Sequence, residues 1–197
     1  MLPTGRTNRP RVTVFLAVVV ALLRCGEAGL SPQSSLLDLK GRNVDPLKRT
    51  DAKATVFVFT RTDCPISNRY TPELRRLQEK FTNVRFWLVY PDPDEPVTAI
   101  REHVKEYGYS SWDVARDPQH WLVRKTQVKV TPEVAVFVPG GEMLYRGRID
   151  DRYVDFGKAR AKPTQRDLER ALQAILEARP VERAVTPAVG CFIPELQ

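Results

Sequence analysis

Residues 54–60, ATVFVFT, are β-branched and aromatic with no alternating polar position. A run of this kind suits a strand buried on both faces. A helix is signalled next: Thr71 can cap it, Pro72 fits its first turn, and Leu74 and Leu77 carry an apolar stripe toward Phe81. A second strand is predicted over 84–89. Pro91, Pro93 and Pro96 then break the chain into a loop. Residues 97–107 place Ile100, Val104 and Tyr107 on one helical face, and Asp117-Pro118 opens a further helix through Trp121, Leu122 and Val123. Thr131-Pro132 leads into a strand over 134–138, the turn at 139–142 reverses the chain, and 143–149 return as its partner.

The last helix is predicted from near Thr164, with Asp167 at its third position in a weak capping box; Leu168, Leu172, Ile175 and Leu176 form its stripe, and Pro180 ends it. The order is strand, helix, strand, helix, then helix, hairpin, helix. It predicts a layered α/β domain in which helices flank a central mixed sheet. Residues 29–53 are turn-rich and read as an approach segment with one short strand, and 179–197 as an irregular tail. No internal repeat or low-complexity tract is visible.

Composition changes this picture at the N-terminus. Arg6, Arg9 and Arg11 precede a predominantly apolar run of twelve residues at 12–23, the length of a signal-peptide core and too short for a bilayer span. Gly26 and Ala28 supply small residues for cleavage after Ala28. The expectation is an exported, periplasmic or extracellular protein whose mature chain has no transmembrane segment. Lipid attachment at Cys25 is disfavoured by Arg24, which stands where a small residue is required. Losing residues 1–28 removes four basic residues and one acidic residue, so the formal +7 falls to about +4. The densest basic run, around 157–170, lacks interleaved aromatics, so nucleic acid is not an expected partner.

The mature chain keeps Cys64 and Cys191. Cys64, in TDCPIS, lies just past the carboxyl end of the predicted inner strand, where sites in open α/β sheets gather. Helix amides close by would favour its thiolate. That argument holds if the helix begins near Ile66 and kinks at Pro72, and weakens if it begins only at Thr71. Taken alone, Cys64 reads as half of a redox pair, a lone nucleophile, a metal ligand or an inert turn residue.

Three segments carry a resemblance: VFVFTRTDCPIS at 56–67, TPEVAVF at 131–137 and MLYRGRID at 143–150. Over about 54–178 the chain resembles the thioredoxin-like superfamily, in particular the redoxin domains of thiol peroxidases and secreted disulfide-handling proteins. The resemblance implies a thioredoxin-like fold, a reactive Cys64, and a cis-proline at Pro132 facing the thiol. The departures are equally specific. Ser67 stands where a dithiol motif has its second cysteine, and serine cannot resolve a mixed disulfide. Phe57 and Arg61 stand where peroxiredoxins carry proline and threonine or serine, with Thr60 one place off. Arg61 is a candidate to stabilise a thiolate or a bound anion, and Asp63 is a local acid–base group or an opposing charge.

The tail VTPAVGCFIPEL is apolar enough to pack back on the domain. Cys191 then reads as a resolving cysteine for oxidised Cys64, as a static disulfide partner, or as neither. The leading expectation is a thiol–disulfide oxidoreductase with Cys64 as nucleophile and Cys191 as resolving residue. It would act on a protein or small-molecule thiol or disulfide and be restored by a thiol reductant. The alternatives are a copper or zinc protein using Cys64, Cys191 and His120, and a binding module with inert thiols. His103 reads as a solvated helix residue. The charged segment 146–160, with Arg146, Arg148, Arg152, Tyr153 and Phe156, is a solvated hairpin or a partner surface.

Overall fold

Alternate residues of the inner strands enter two different cores. The computed structural model describes Met1, residues 35–48 and residues 51–196, all but Met1 lying in a unit of residues 32–197. The apolar run at 12–23, Cys25 and the cleavage position after Ala28 lie outside the described residues. Two short strands come first, β1 (Leu36–Leu37) and β2 (Asn43–Val44), so the approach segment contributes a strand pair where one strand was expected. β3 (Ala54–Phe59) is buried at every position.

Two helices follow in place of one, α1 (Pro65–Arg69) and α2 (Thr71–Lys80), broken at Tyr70. The helical region therefore starts early and breaks beside Pro72. Thr71 is the first residue of α2 rather than its cap, and its hydroxyl donates to the Asn68 carbonyl at 2.9 Å. β4 (Val84–Tyr90) and α3 (Val97–Glu106) match the pattern. β5 (Asp113–Arg116) was not predicted, because its four residues are mostly half-buried and carry no apolar alternation. α4 (Trp121–Thr126) is capped by Asp117, whose carboxylate accepts from the amides of Trp121, Leu122 and Val123 at 2.7–2.9 Å.

β6 (Val130–Thr131), β7 (Glu133–Phe137) and β8 (Met143–Gly147) follow, then a small hairpin of β9 (Tyr153–Asp155) and β10 (Lys158–Ala159). α5 (Asp167–Leu176) begins three residues later than its pattern suggested, with Asp167 as its first residue. Asp151 accounts for the delay: its carboxylate binds the Thr164 and Gln165 amides at 2.6 and 2.8 Å, which holds that stretch out of the helix. The tail closes with β11 (Cys191–Phe192).

The main sheet has seven strands in the order β2-β1-β5-β4-β3-β7-β8, with β3–β4 and β4–β5 parallel and the other pairs antiparallel. Val56 and Val58 of β3, Phe86 and Leu88 of β4, and Val134 and Val136 of β7 pack with Leu74, Leu77, Ile100, Leu168 and Leu172. Their neighbours Phe57, Phe59, Trp87, Val89, Ala135 and Phe137 pack with Leu36 and Leu122 on the opposite face. The two-residue period of a strand explains the division. Each face is covered, and β3 lies between β4 and β7 inside the sheet.

Candidate functional site

Cys64 is the residue immediately before α1, with extended backbone, and its carbonyl accepts the Asn68 amide at 3.1 Å. The thiol is fully buried. The loop ahead of it is fixed from two sides. The Thr62 amide donates to Glu95 Oε1 at 2.6 Å, and Asn68 Nδ2 donates to the Thr62 carbonyl at 3.0 Å. Asn68 Oδ1 therefore faces His103 Nε2 at 2.8 Å, and His103 Nδ1 lies 2.8 Å from the Tyr90 hydroxyl. This arrangement places the imidazole proton on Nε2 and makes Nδ1 the acceptor. His103 is buried, not solvated as its helical setting suggested, and burial lowers its pKa to about 4.

Cys191 reaches the same place from the other end of the chain. β11 pairs antiparallel with β6, Cys191 opposite Thr131 and Phe192 opposite Val130, and the Ile193 amide donates to the Lys129 carbonyl at 3.1 Å. Two glycines permit this approach. A Cβ on Gly190 would sit 2.2 Å from the Thr131 carbonyl oxygen, and one on Gly147 would sit 2.2 Å from the Thr186 carbonyl. Thr186 anchors the tail further back: its hydroxyl lies 2.7 Å from the Tyr145 hydroxyl and accepts the Arg148 amide at 3.1 Å. Backbone bonds between Arg146 and both Ala184 and Thr186 complete the anchor.

Thr131 is the hinge of the site. Its carbonyl lies 3.0 Å from the Cys64 sulfur and accepts the proton of the neutral thiol. Burial pushes the Cys64 pKa up, but the Cys191 thiol, the Ser67 hydroxyl and amide, and the Thr131 hydroxyl act in the opposite direction. The net effect is a pKa below the ordinary cysteine value. The Thr131 carbonyl, which accepts the thiol proton, favours the neutral form instead. Ser67 Oγ is buried without a partner of good geometry, so its approach to sulfur acts on charge more than on packing. The Cys191 thiol is pushed up to about 12, by burial first and then by the neighbouring Cys64. The two thiols are free, with Cys64 buried and Cys191 partly exposed.

Arg61 lies between the Cys64 loop and the tail, where its charge favours the Cys191 thiolate. Its Nη2 lies 3.0 Å from Asp63 and 3.2 Å from Asp92, and its Nη1 donates to the Phe192 carbonyl at 3.5 Å. It ties β11 to the Cys64 loop, and the groups that most lower the Cys64 pKa are the thiol, hydroxyl and amide donors above. The Thr131–Pro132 peptide is cis, as the resemblance implies. His120 precedes α4, buried, with Nε2 2.9 Å from the Pro91 carbonyl. Among the described residues no group of three histidine, cysteine or acidic side chains is arranged to hold a metal ion, so His120 is not brought together with the two cysteines.

In the segment 146–160, Arg148 pairs with Asp167 at 2.7 Å, Tyr153 packs on Tyr70, and Phe156 is exposed. Beside β11 lies a cleft of about 700 Å³ lined in part by Glu133, Arg146, Phe156, Val185 and Phe192. Sequence reasoning missed Thr131, Gly190, Thr186 and His103. The glycine directly before Cys191 was the one local signal for close backbone approach.

A family described as thioredoxin-like matches residues 51–143. Among curated proteins none matches the sequence. An uncharacterized conserved protein from Geobacillus kaustophilus is similar at 25% identity and a TM-score of 0.70, over 84% of this chain and 89% of its own. A hypothetical protein from Sinorhizobium meliloti 1021 is similar at 22% identity and a TM-score of 0.68, over 80% of this chain and 88% of its own. MTB dsbF, described in mixed oxidized and reduced forms, is similar at 20% identity and a TM-score of 0.55, over 73% of this chain and 95% of its own. The chain has a thioredoxin-like fold: a central mixed sheet flanked by helices. No helix among the described residues is long and apolar enough to cross a membrane.

Proposed function

We propose that this chain is an exported thiol–disulfide oxidoreductase in which Cys64 is the nucleophile and Cys191 the resolving cysteine. The observation that carries this reading is the pairing of β11 with β6, which puts Cys191 across from Thr131, whose carbonyl lies 3.0 Å from the Cys64 sulfur. In the reduced protein, with the tail displaced from over it, the Cys64 thiolate attacks one sulfur of a disulfide substrate, forms a mixed disulfide and expels the other sulfur as a thiolate. Cys191 then loses its proton and attacks the Cys64 sulfur. The substrate's first sulfur leaves as a thiolate, and the Cys64–Cys191 disulfide is formed.

The thiol pair has a built-in order. While Cys64 is charged, its hydrogen bond and its charge help to hold the proton on Cys191. Once Cys64 is tied up in a mixed disulfide that charge is gone, and Cys191 becomes easier to deprotonate when its attack is due. MTB dsbF shares the fold and is described in oxidized and reduced forms, the two states this cycle requires.

The test is mass spectrometry of residues 29–197 purified without reductant, with and without alkylation, and again in native mode. A Cys64–Cys191 disulfide that a dithiol reduces and oxidised glutathione restores supports the reading. Two thiols that resist oxidation overturn it in favour of a binding module. One bound copper or zinc ion held by the two thiols moves the function to metal handling.

A further inference from the structure

The two cysteines differ in how an outside reagent can reach them. Cys64 is fully buried among Ile66, Tyr70 and the inner strands, and the tail lies over it. Cys191 is partly exposed, on a two-residue strand whose next side chain, Phe192, is 79% exposed. A thiolate attacking a disulfide approaches along the S–S axis, from behind the sulfur it strikes. Cys64 offers an attacking thiolate no exposed surface, whereas Cys191 is partly open to solvent.

We propose that the oxidised protein is reduced through Cys191, so that the sulfur facing the external dithiol reductant is the one in the tail and not the one beside the helix. This rests on the Cys64–Cys191 pairing proposed above. In the first step a partner thiolate attacks Cys191 Sγ. The partner–Cys191 bond forms, the Cys64–Cys191 bond breaks, and Cys64 leaves as a thiolate. In the second step the partner's other thiolate attacks its own sulfur in the mixed disulfide. Cys191 leaves and takes up a proton, and the partner ends as a disulfide. Two electrons pass from the partner dithiol to the Cys64–Cys191 disulfide.

The chemistry favours the same direction as the geometry. The better leaving group in thiol–disulfide exchange is the thiol of lower pKa. Cys64 has the lowered value and Cys191 the raised one. Attack on Cys191 expels Cys64, whose charge Ser67 and Thr131 still favour, whereas attack on Cys64 would expel Cys191, whose charge burial disfavours. The nucleophile that engages an oxidised substrate and the sulfur that receives electrons are therefore different residues.

Sulfite is a suitable probe, because it adds to the sulfur it attacks and frees the other as a thiol. The oxidised folded protein is treated with sulfite and iodoacetamide, and peptides are mapped by mass. The expected product carries the S-sulfonate on Cys191 and the alkyl group on Cys64, by roughly tenfold or more over the reverse. That preference should disappear in denaturant. S-sulfonate mainly on Cys64, or an equal mixture in the folded protein, overturns the inference while leaving the redox pair intact. A folded disulfide inert to sulfite overturns it too, since an open sulfur must react. Failure to form any Cys64–Cys191 disulfide removes the proposed function, and this inference with it.

Discussion

Cys191 stands directly across the ladder from Thr131, the residue whose carbonyl oxygen lies 3.0 Å from the Cys64 sulfur. One buried residue thus positions both thiols, the first through its carbonyl and the second through strand pairing. In the proposed pair, the second thiol that the TDCPIS segment lacks is Cys191 of the tail.

Substituting Gly190→Val should lift the tail from β6. The first added carbon would meet the Thr131 carbonyl at 2.2 Å, and that oxygen belongs to backbone that cannot swing aside. The expected cost is about 1–3 kcal/mol of tail docking, with the main sheet intact. Disulfide formation should slow by an order of magnitude or more, because the bond needs close Cα spacing. Alkylation of Cys64 should become faster as its cover leaves. Oxidation at the wild-type rate would show that tail docking does not set the thiol geometry.

Replacing Cys191 by alanine removes a donor that favours the Cys64 thiolate. The midpoint of the Cys64 alkylation profile should move to higher pH, the direction expected when a charge-stabilising hydrogen bond is lost. Turnover with a disulfide substrate should stop at the mixed disulfide. The midpoint, followed by thiolate absorbance, is the informative quantity, since uncovering Cys64 raises its rate at every pH. An unmoved midpoint would mean that Cys191 does not stabilise the anion.

Ser67→Ala should also raise the Cys64 pKa, with a different effect on stability. Ser67 Oγ is buried and lacks a well-formed partner, so its loss leaves no buried group newly unpaired. Unfolding in urea should show a change within about 1 kcal/mol of zero. A drop well beyond that would mean the hydroxyl holds the helix start rather than tuning the thiol.

His103 should make the fold sensitive to mild acid. Its folded pKa is depressed to about 4 from 6.5, so between these values the unfolded chain binds a proton that the native chain refuses. Stability therefore falls as pH drops from near 6.5 toward 4. The full effect is on the order of 3 kcal/mol. Chemical denaturation of wild type and His103→Gln across that range should give a shallower slope for the variant. Equal slopes would mean that His103 is protonated in the folded protein as readily as in the unfolded one.

Legibility of these features in the sequence followed the range of the forces involved. β3, β4 and β7 were readable because burial on both faces demands mostly apolar residues, a demand visible in five to seven consecutive letters. β5 and the β1–β2 pair were not, since strands of two to four residues are too short to carry a period. Cys64 could be singled out by its place between strand and helix. The partnership of Cys191 could only be offered among alternatives, because a two-residue strand pairing across the chain leaves no local pattern. His103 was misread for the same reason: Tyr90 and Asn68, which hold it inside, lie outside its own helix.

The clasp made by Gly147 against Thr186 and Gly190 against Thr131 suggests a way to look for kindred chains. A search for two nearby cysteines would pass this protein by. A search for a glycine at the end of the hairpin, a threonine that meets it downstream, and a Gly-Cys pair matched to an earlier Thr-Pro would find it. Such a signature describes where two stretches of backbone touch, and would pick out single-cysteine motifs whose second thiol has been moved to the end of the chain.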